Sequence, residues 1–317
     1  MSTSMLSRPW AGVFTALVTP MLAAAPEAAG RDRAAVPVPA PVPAIDEVRL
    51  AALVNAQIAG GVDGLVACGT TGEAAAMTPA EQARVIRVVV EAAAGRVPVL
   101  AGVGSPSTEQ SVELARAAIA QGADGLLAVT PYYNRPPQEG LIAHFGSLAR
   151  LGHPIMLYNV PARTGCDLMP DTVLRLCELP EVVALKEATG SVLRTQQIVR
   201  KVGDRLALFS GEDAINFPLY CVGARGAVSV VSNVAPVLMA ATWDAFAAGD
   251  LHKARLLHEL LLPLAEVLFI EPNPIPAKAA LAMRGQLEDA LRLPLLPMSE
   301  LGRARLRAVL GELELLS

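Results

Sequence analysis

The sequence has no recognisable pattern for binding metal or building a disulfide framework. Its four cysteines, Cys68, Cys166, Cys177 and Cys221, form no CxxC pair, and His144, His153, His252 and His258 form no HExxH or comparable cluster. Each cysteine reads as a small apolar residue, buried or partly buried. Basic excess is missing too. With a formal net charge of -4, the 317-residue chain has nothing to draw it to nucleic acid or to an acidic membrane surface, and a small soluble ligand suits this balance better. Long hydrophobic runs are absent as well. The longest, LLLPLAEVLFI at 260–270, is far short of a membrane span and is broken by Pro263 and Glu266. The first residues show no basic segment leading into an apolar core, which sets the expectation of a cytoplasmic protein.

What the chain does have is 53% hydrophobic residues in a recurring arrangement. Short runs rich in Val, Leu and Ile occur at 13–19, 64–68, 97–102, 125–130, 154–159, 182–187, 206–211 and 226–231. Between most of them lie helical patterns such as PAEQARVIRVVVEAAAG at 79–95 and STEQSVELARAAIAQG at 107–122, opened by a proline or capping residue and closed by glycine. Eight continuously apolar strands alternating with helices close naturally into a parallel barrel with the helices outside. The expected fold is therefore α/β, a (β/α)8 TIM barrel over residues 1–235, followed by a C-terminal helical region over 236–317. One stretch, at about 21–44, breaks the rhythm. Pro37, Pro39, Pro41 and Pro43 remove alternate backbone donors, so this segment reads as a flexible surface insert outside the barrel core. Because it follows a strand, it is expected on the same face as the catalytic loops.

Active sites of such barrels sit at the strand C-termini. Here those ends read TP, CGTTGE, GVGS, TPYYN, YNVPARTG, KEATG, SGED and VSN. Lys186 closes the sixth strand. A lysine of ordinary pKa is neutral only about once in a few thousand molecules at pH 7, whereas attack on a carbonyl needs the free amine, and partial desolvation favours that form. From this stretch alone two readings stand: a nucleophilic lysine, or a lysine paired with a carboxylate such as Glu187. Tyr158 ends the fifth strand, where a phenol can carry protons during imine chemistry. Arg163 follows on the loop, with a planar fork suited to a carboxylate. In GTTGE the hydroxyls of Thr70 and Thr71 and the adjacent amides can hold a small oxyanion or extend a proton relay. The lysine of a P-loop is missing there, which argues against a nucleotide. Tyr132 and Tyr133 in TPYYN need not point the same way; one can serve this site and the other a neighbouring subunit or second site.

Together these motifs resemble the dihydrodipicolinate synthase family, also named 4-hydroxy-tetrahydrodipicolinate synthase, of the class I pyruvate-dependent lyase superfamily. The resemblance runs from FTALVTPM at 14–21 through GTTGE, TPYYNRPPQEG, YNVPARTGCDL, KEATG and SGED to EPNPIPAK at 271–278. It implies condensation of pyruvate with L-aspartate 4-semialdehyde on the route to diaminopimelate and lysine, with no cofactor beyond a covalent Schiff base to pyruvate. It further implies that Lys186 forms that Schiff base, that Tyr158, Thr70 and Tyr133 form a proton relay with Tyr133 crossing from an adjacent subunit, and that Arg163 positions the semialdehyde carboxylate. Thr71 would hold the pyruvate carboxylate, backbone groups of Gly211 and Val228 would line the pocket, and the assembly would be a homotetramer. The competing readings are N-acetylneuraminate lyase or a keto-deoxy-sugar-acid aldolase of the same superfamily, which usually lack an arginine at the place of Arg163, and an inactive barrel serving as a ligand-binding or scaffolding protein. Relatives inhibited by lysine carry His, Asn and Glu residues where this chain has Ala74, Pro79, Gln82, Pro106 and Gln110, so weak or absent lysine feedback is expected.

Overall fold

The computed structural model describes residues 10–23 and 42–316. All eight expected strands are present: β1 (Gly12–Ala16), β2 (Gly64–Ala67), β3 (Val99–Gly102), β4 (Gly125–Val129), β5 (Ile155–Asn159), β6 (Val182–Glu187), β7 (Ala207–Ser210) and β8 (Gly226–Ser229). They pair in parallel, each with its sequence neighbours, and the closure of β8 on β1 (Gly12 opposite Gly226, Phe14 opposite Val228) completes a barrel. Strands buried on both faces must be apolar throughout, which is why they appear in the sequence as unbroken runs.

The helices follow the strands: α1 (Glu47–Ala59), α2 (Pro79–Ala93), α3 (Thr108–Ala120), α4 (Gln138–Ala149), α5 (Pro170–Leu176), α6 (Val192–Val202), α7 (Asn216–Cys221) and α8 (Pro236–Ala247). Their starts are set by local chemistry. Thr78 and Glu81 form a capping box ahead of α2, with Pro79 in the first turn, and the Ser107 and Ser191 hydroxyls accept the N–H groups of Gln110 and Arg194 at the starts of α3 and α6. Three further helices, α9 (Leu251–Val267), α10 (Ile275–Met283) and α11 (Glu300–Glu312), complete the chain. Helix α9 packs on α8, and α11 packs on both α9 and α10.

Most of the proline-rich insert, residues 24–41, lies outside the described residues. Its two ends belong to a small antiparallel ribbon in which Met21 pairs with Ile45 and Leu22 with Ala44. Met21 is fully buried, so the segment beginning at residue 21 starts inside the packed structure rather than on the surface. The Ala23 N–H donates to Glu288 at 2.7 Å, which fastens this ribbon to the C-terminal region.

Alternation along the strands divides the core in two. One set of side chains, including Val13, Leu65, Leu126, Leu157 and Leu208, faces the helices. The other fills the barrel interior: Phe14 and Ala16, Val66, Leu100, Leu127, Met156 and Tyr158, Ala184, Ala207 and Phe209, and Val228. The Phe14 ring spans this interior, edge-on to Phe209 at 5.3 Å, and lies against Gly64, where a Cβ would come within 2.3 Å of it. Phe14→Ala should therefore cost about 3–5 kcal/mol of stability, the usual cost of emptying a buried aromatic site. Urea unfolding measures it, and a loss below about 1 kcal/mol would mean that the interior collapses around the gap.

Candidate active site

Lys186 and Tyr158 are brought together by register. Strands β5 and β6 pair Tyr158 with Lys186, so both side chains leave the sheet on the same face, into the barrel. Each is only 7% exposed, and the Lys186 ammonium lies over the Tyr158 ring, 4.2 Å from its centroid. The next strand leaves room for the lysine stem. Gly211 follows β7, donates its N–H to the Glu187 carbonyl at 2.8 Å, and stands where a Cβ would sit 3.0 Å from Lys186 Cε. Val228 is buried in the same interior, on β8.

The pairing of Lys186 with Glu187, one of the two readings of the KEATG stretch, is not what the structure shows. Adjacent strand residues point to opposite faces, and Glu187 faces away from the barrel axis. Its carboxylate accepts from the Asn159 side chain at 3.1 Å and from the Thr189 N–H at 2.8 Å. Asn159 continues the chain of contacts to Asp167, which pairs with Arg194 at 2.9 Å. Burial pushes the Glu187 carboxyl above its ordinary value, against these hydrogen bonds. Glu212, in SGED, is also raised, first by burial and then by neighbouring Asp213, while the positive charge of Lys186 pulls it back. Asp213 is a buttress: its carboxylate accepts the N–H groups of Val230 and Val231 at 2.8 and 2.9 Å, which ties the loop after β7 to the loop after β8.

The GTTGE turn follows β2. Thr71 is buried, and its hydroxyl accepts from the Asn273 side chain at 2.9 Å, whereas Thr70 is exposed. Arg163 lies in a single helical turn, Pro161–Thr164, and is exposed, with its guanidinium free of any hydrogen bond among the described residues. The buried Thr164 of the same turn accepts the Tyr133 N–H at 3.2 Å through its carbonyl, so the TPYYN and PART loops sit side by side. Tyr133 itself is in the left-handed region (φ 71°) and is 92% exposed, so a single chain does not bring it against Lys186. Asn273 and the ion pair of Glu73 with Lys278 carry no signal of their own in the sequence. Only their membership of the GTTGE and EPNPIPAK motifs points to them. Among the described residues, no three His, Cys, Asp or Glu side chains are grouped so as to hold a metal ion, and no helix is long and apolar enough to cross a membrane.

A closed parallel barrel with a lysine amine at the C-terminal end of its interior, a tyrosine ring against it and an arginine on the next loop is suited to an enzyme that acts on a carbonyl substrate. Sequence comparison narrows the class. Residues 38–313 match the dihydrodipicolinate synthetase family, and the chain belongs to that family. It is 49% identical over 308 residues to the 4-hydroxy-tetrahydrodipicolinate synthase of Sorangium cellulosum, covering 96% of this chain and 97% of that one. It is 47% identical to the enzyme of the same name from Geobacter sulfurreducens, over 86% of this chain and 94% of that one. Among solved structures, the chloride-inhibited dihydrodipicolinate synthase of Acinetobacter baumannii complexed with pyruvate superposes with a TM-score of 0.89 at 38% identity, covering 96% of this chain and 99% of that one.

Proposed function

We propose that this chain is a lyase that condenses pyruvate with L-aspartate 4-semialdehyde to give 4-hydroxy-tetrahydrodipicolinate, through a Schiff base on Lys186. The observation that carries the reading is the Lys186 amine inside the barrel mouth, 4.2 Å from the Tyr158 ring. The amine adds to the C2 carbonyl of pyruvate and water leaves, forming the imine. Loss of a methyl proton then gives an enamine, a far better carbon nucleophile than the parent ketone. The enamine carbon bonds to the aldehyde carbon of the second substrate, and the aldehyde oxygen takes up a proton. The amino group of that substrate next attacks C2, closes the ring and releases the lysine amine.

The other residues take roles that their positions permit. Thr71, buried with its hydroxyl held by Asn273, presents a fixed hydroxyl and amide to the pyruvate carboxylate. Arg163, exposed and unpaired among the described residues, offers its fork to the carboxylate of the semialdehyde. Gly211 and Val228 shape the pocket wall. Tyr158, Thr70 and Tyr133 relay protons, with Tyr133 serving the site of a neighbouring copy, as its exposure suits. A cytoplasmic homo-oligomer, a tetramer on the family pattern, accommodates that exchange.

The test is a coupled assay with pyruvate and L-aspartate 4-semialdehyde, run beside an assay for cleavage of N-acetylneuraminate. Turnover of the semialdehyde and none of the sugar acid is expected; the reverse outcome overturns the reading. Feedback inhibition by lysine should be weak. At the place where lysine-sensitive relatives hold charged and polar groups, the Gln82 amide donates to the Ala74 carbonyl at 2.9 Å and Gln110 accepts the Ser105 hydroxyl at 2.5 Å. Both side chains are occupied within the chain, and neither carries the negative charge that an ammonium group needs. Half-inhibition by lysine is expected only above about 1 mM, equivalent to binding weaker than about 4 kcal/mol. Strong inhibition at sub-millimolar lysine would refute this.

A further inference from the structure

The GTTGE turn is tied to the C-terminal helical region by a buried ion pair. Glu73 adopts a left-handed backbone (φ 55°, ψ 33°), a conformation costly for a side chain of its size, and its carboxylate is buried. Lys278 on α10, 205 residues further along and 0% exposed, donates to Glu73 Oε1 at 2.6 Å. The backbone N–H of Arg292 donates to Oε2 at 3.0 Å, so both carboxylate oxygens are engaged. Arg292 then reaches outward. Its guanidinium meets both oxygens of Glu81 at 2.6 and 2.9 Å and the carbonyls of Pro43 and Ala76, and it holds the Glu81 carboxyl down to about 2. Burial lowers the Lys278 ammonium from its ordinary value, and the Glu73 carboxylate opposes that shift.

Such a pair is a poor means of stabilising a fold. Well-packed apolar residues of similar volume often do as well or better, because the desolvation of two charges offsets much of their attraction. What it does supply is geometry. The pair anchors a strained turn at one point, two residues from Thr71, while Asn273 on the same C-terminal segment anchors Thr71 itself at 2.9 Å. Two attachments from one segment define both the position and the rotation of the 70–73 turn relative to the barrel axis.

We infer that Glu73 and Lys278 are positioning residues for the carboxylate-binding turn: their buried ion pair holds Thr70 and Thr71 toward the Lys186 pocket, and its contribution is to substrate binding rather than to stability. This rests on the reading of Thr71 given above. The test is the charge-free double variant Glu73→Leu/Lys278→Met, read by thermal unfolding and by the pyruvate KM and kcat separately. A folded double variant, in which the Arg292 N–H loses its acceptor, is expected to melt slightly below the parent protein and to show a pyruvate KM raised at least tenfold. KM and kcat both within twofold of the parent would overturn the inference. If the double variant fails to fold, Glu73→Gln, an isostere that removes the charge and one of the two acceptor oxygens, answers the same question with a smaller expected KM rise of about threefold. An unchanged KM in that variant is equally fatal. The parent protein, trapped with pyruvate and borohydride in parallel, keeps the two ideas apart. Its failure to form an adduct sinks the proposed function, whereas a normal adduct with normal variant kinetics sinks only the positioning role.

Discussion

Lys186→Ala should abolish condensation while leaving the fold intact. The removed side chain occupies the upper end of the barrel interior, and an alanine there extends the pattern already set by Ala184 two residues earlier on the same face of β6. The interior keeps its large fillers, Phe14, Phe209 and Met156, so the loss of packing is modest beside the loss of chemistry. Without an amine there is no imine, and without an imine the pyruvate methyl group is too weakly acidic to form the carbon nucleophile. The rate should therefore fall at least about a thousandfold, in keeping with the removal of a covalent nucleophile. Mass spectrometry after borohydride treatment gives the sharper readout. The parent protein should gain one pyruvate-derived adduct on the peptide carrying Lys186, and the variant none. An adduct on a different lysine, or a variant that keeps more than about a tenth of the parent rate, would mean that the nucleophile lies elsewhere.

The barrel was legible in the sequence because its physics is repetitive. A strand covered by helices outside and by side chains inside has no polar face, so each of the eight runs stands out from the polar loops around it. The helix starts at Pro79 and Ser107 were legible for a similar reason: a proline in the first turn has no N–H to leave unpaired, and the Ser107 hydroxyl accepts one of the free backbone N–H groups. Proximity across the chain was much less legible. The contacts of Thr71 with Asn273 and of Glu73 with Lys278 span 202 and 205 residues, and no periodicity connects them. The alternative partner for Lys186 failed on a point that strand geometry already decides. Glu187 is the next residue on an extended strand and must leave by the opposite face, where Asn159 and the Thr189 N–H meet it. The ends of the insert were hidden for a different reason. Met21 and Ile45 pair in a ribbon only two residues long on each strand, too short for alternation to appear.

Tyr158→Phe should separate proton transfer from packing. The aromatic face that lies 4.2 Å from the Lys186 ammonium is nearly the same in phenylalanine, and the ring belongs to the interior cluster, so position, burial and the cation–π contact are largely kept. Only the phenolic oxygen is lost. Forming the imine requires protons to reach the departing oxygen, and resolving it requires a proton to return to the lysine nitrogen; a positioned acid–base group contributes about a hundredfold to ten-thousandfold to such steps. The expected result is a kcat lowered by about 10²–10³ with a pyruvate KM changed less than about threefold, since the groups proposed to hold the carboxylate are untouched. Borohydride should still trap the adduct on Lys186, but at a slower rate, which distinguishes this variant from Lys186→Ala. A Tyr158→Phe protein with kcat within about twofold of the parent would remove Tyr158 from the proton path and leave it as a wall of the pocket. A variant that lost adduct formation altogether would instead indicate that the phenol is needed to seat pyruvate before any covalent step.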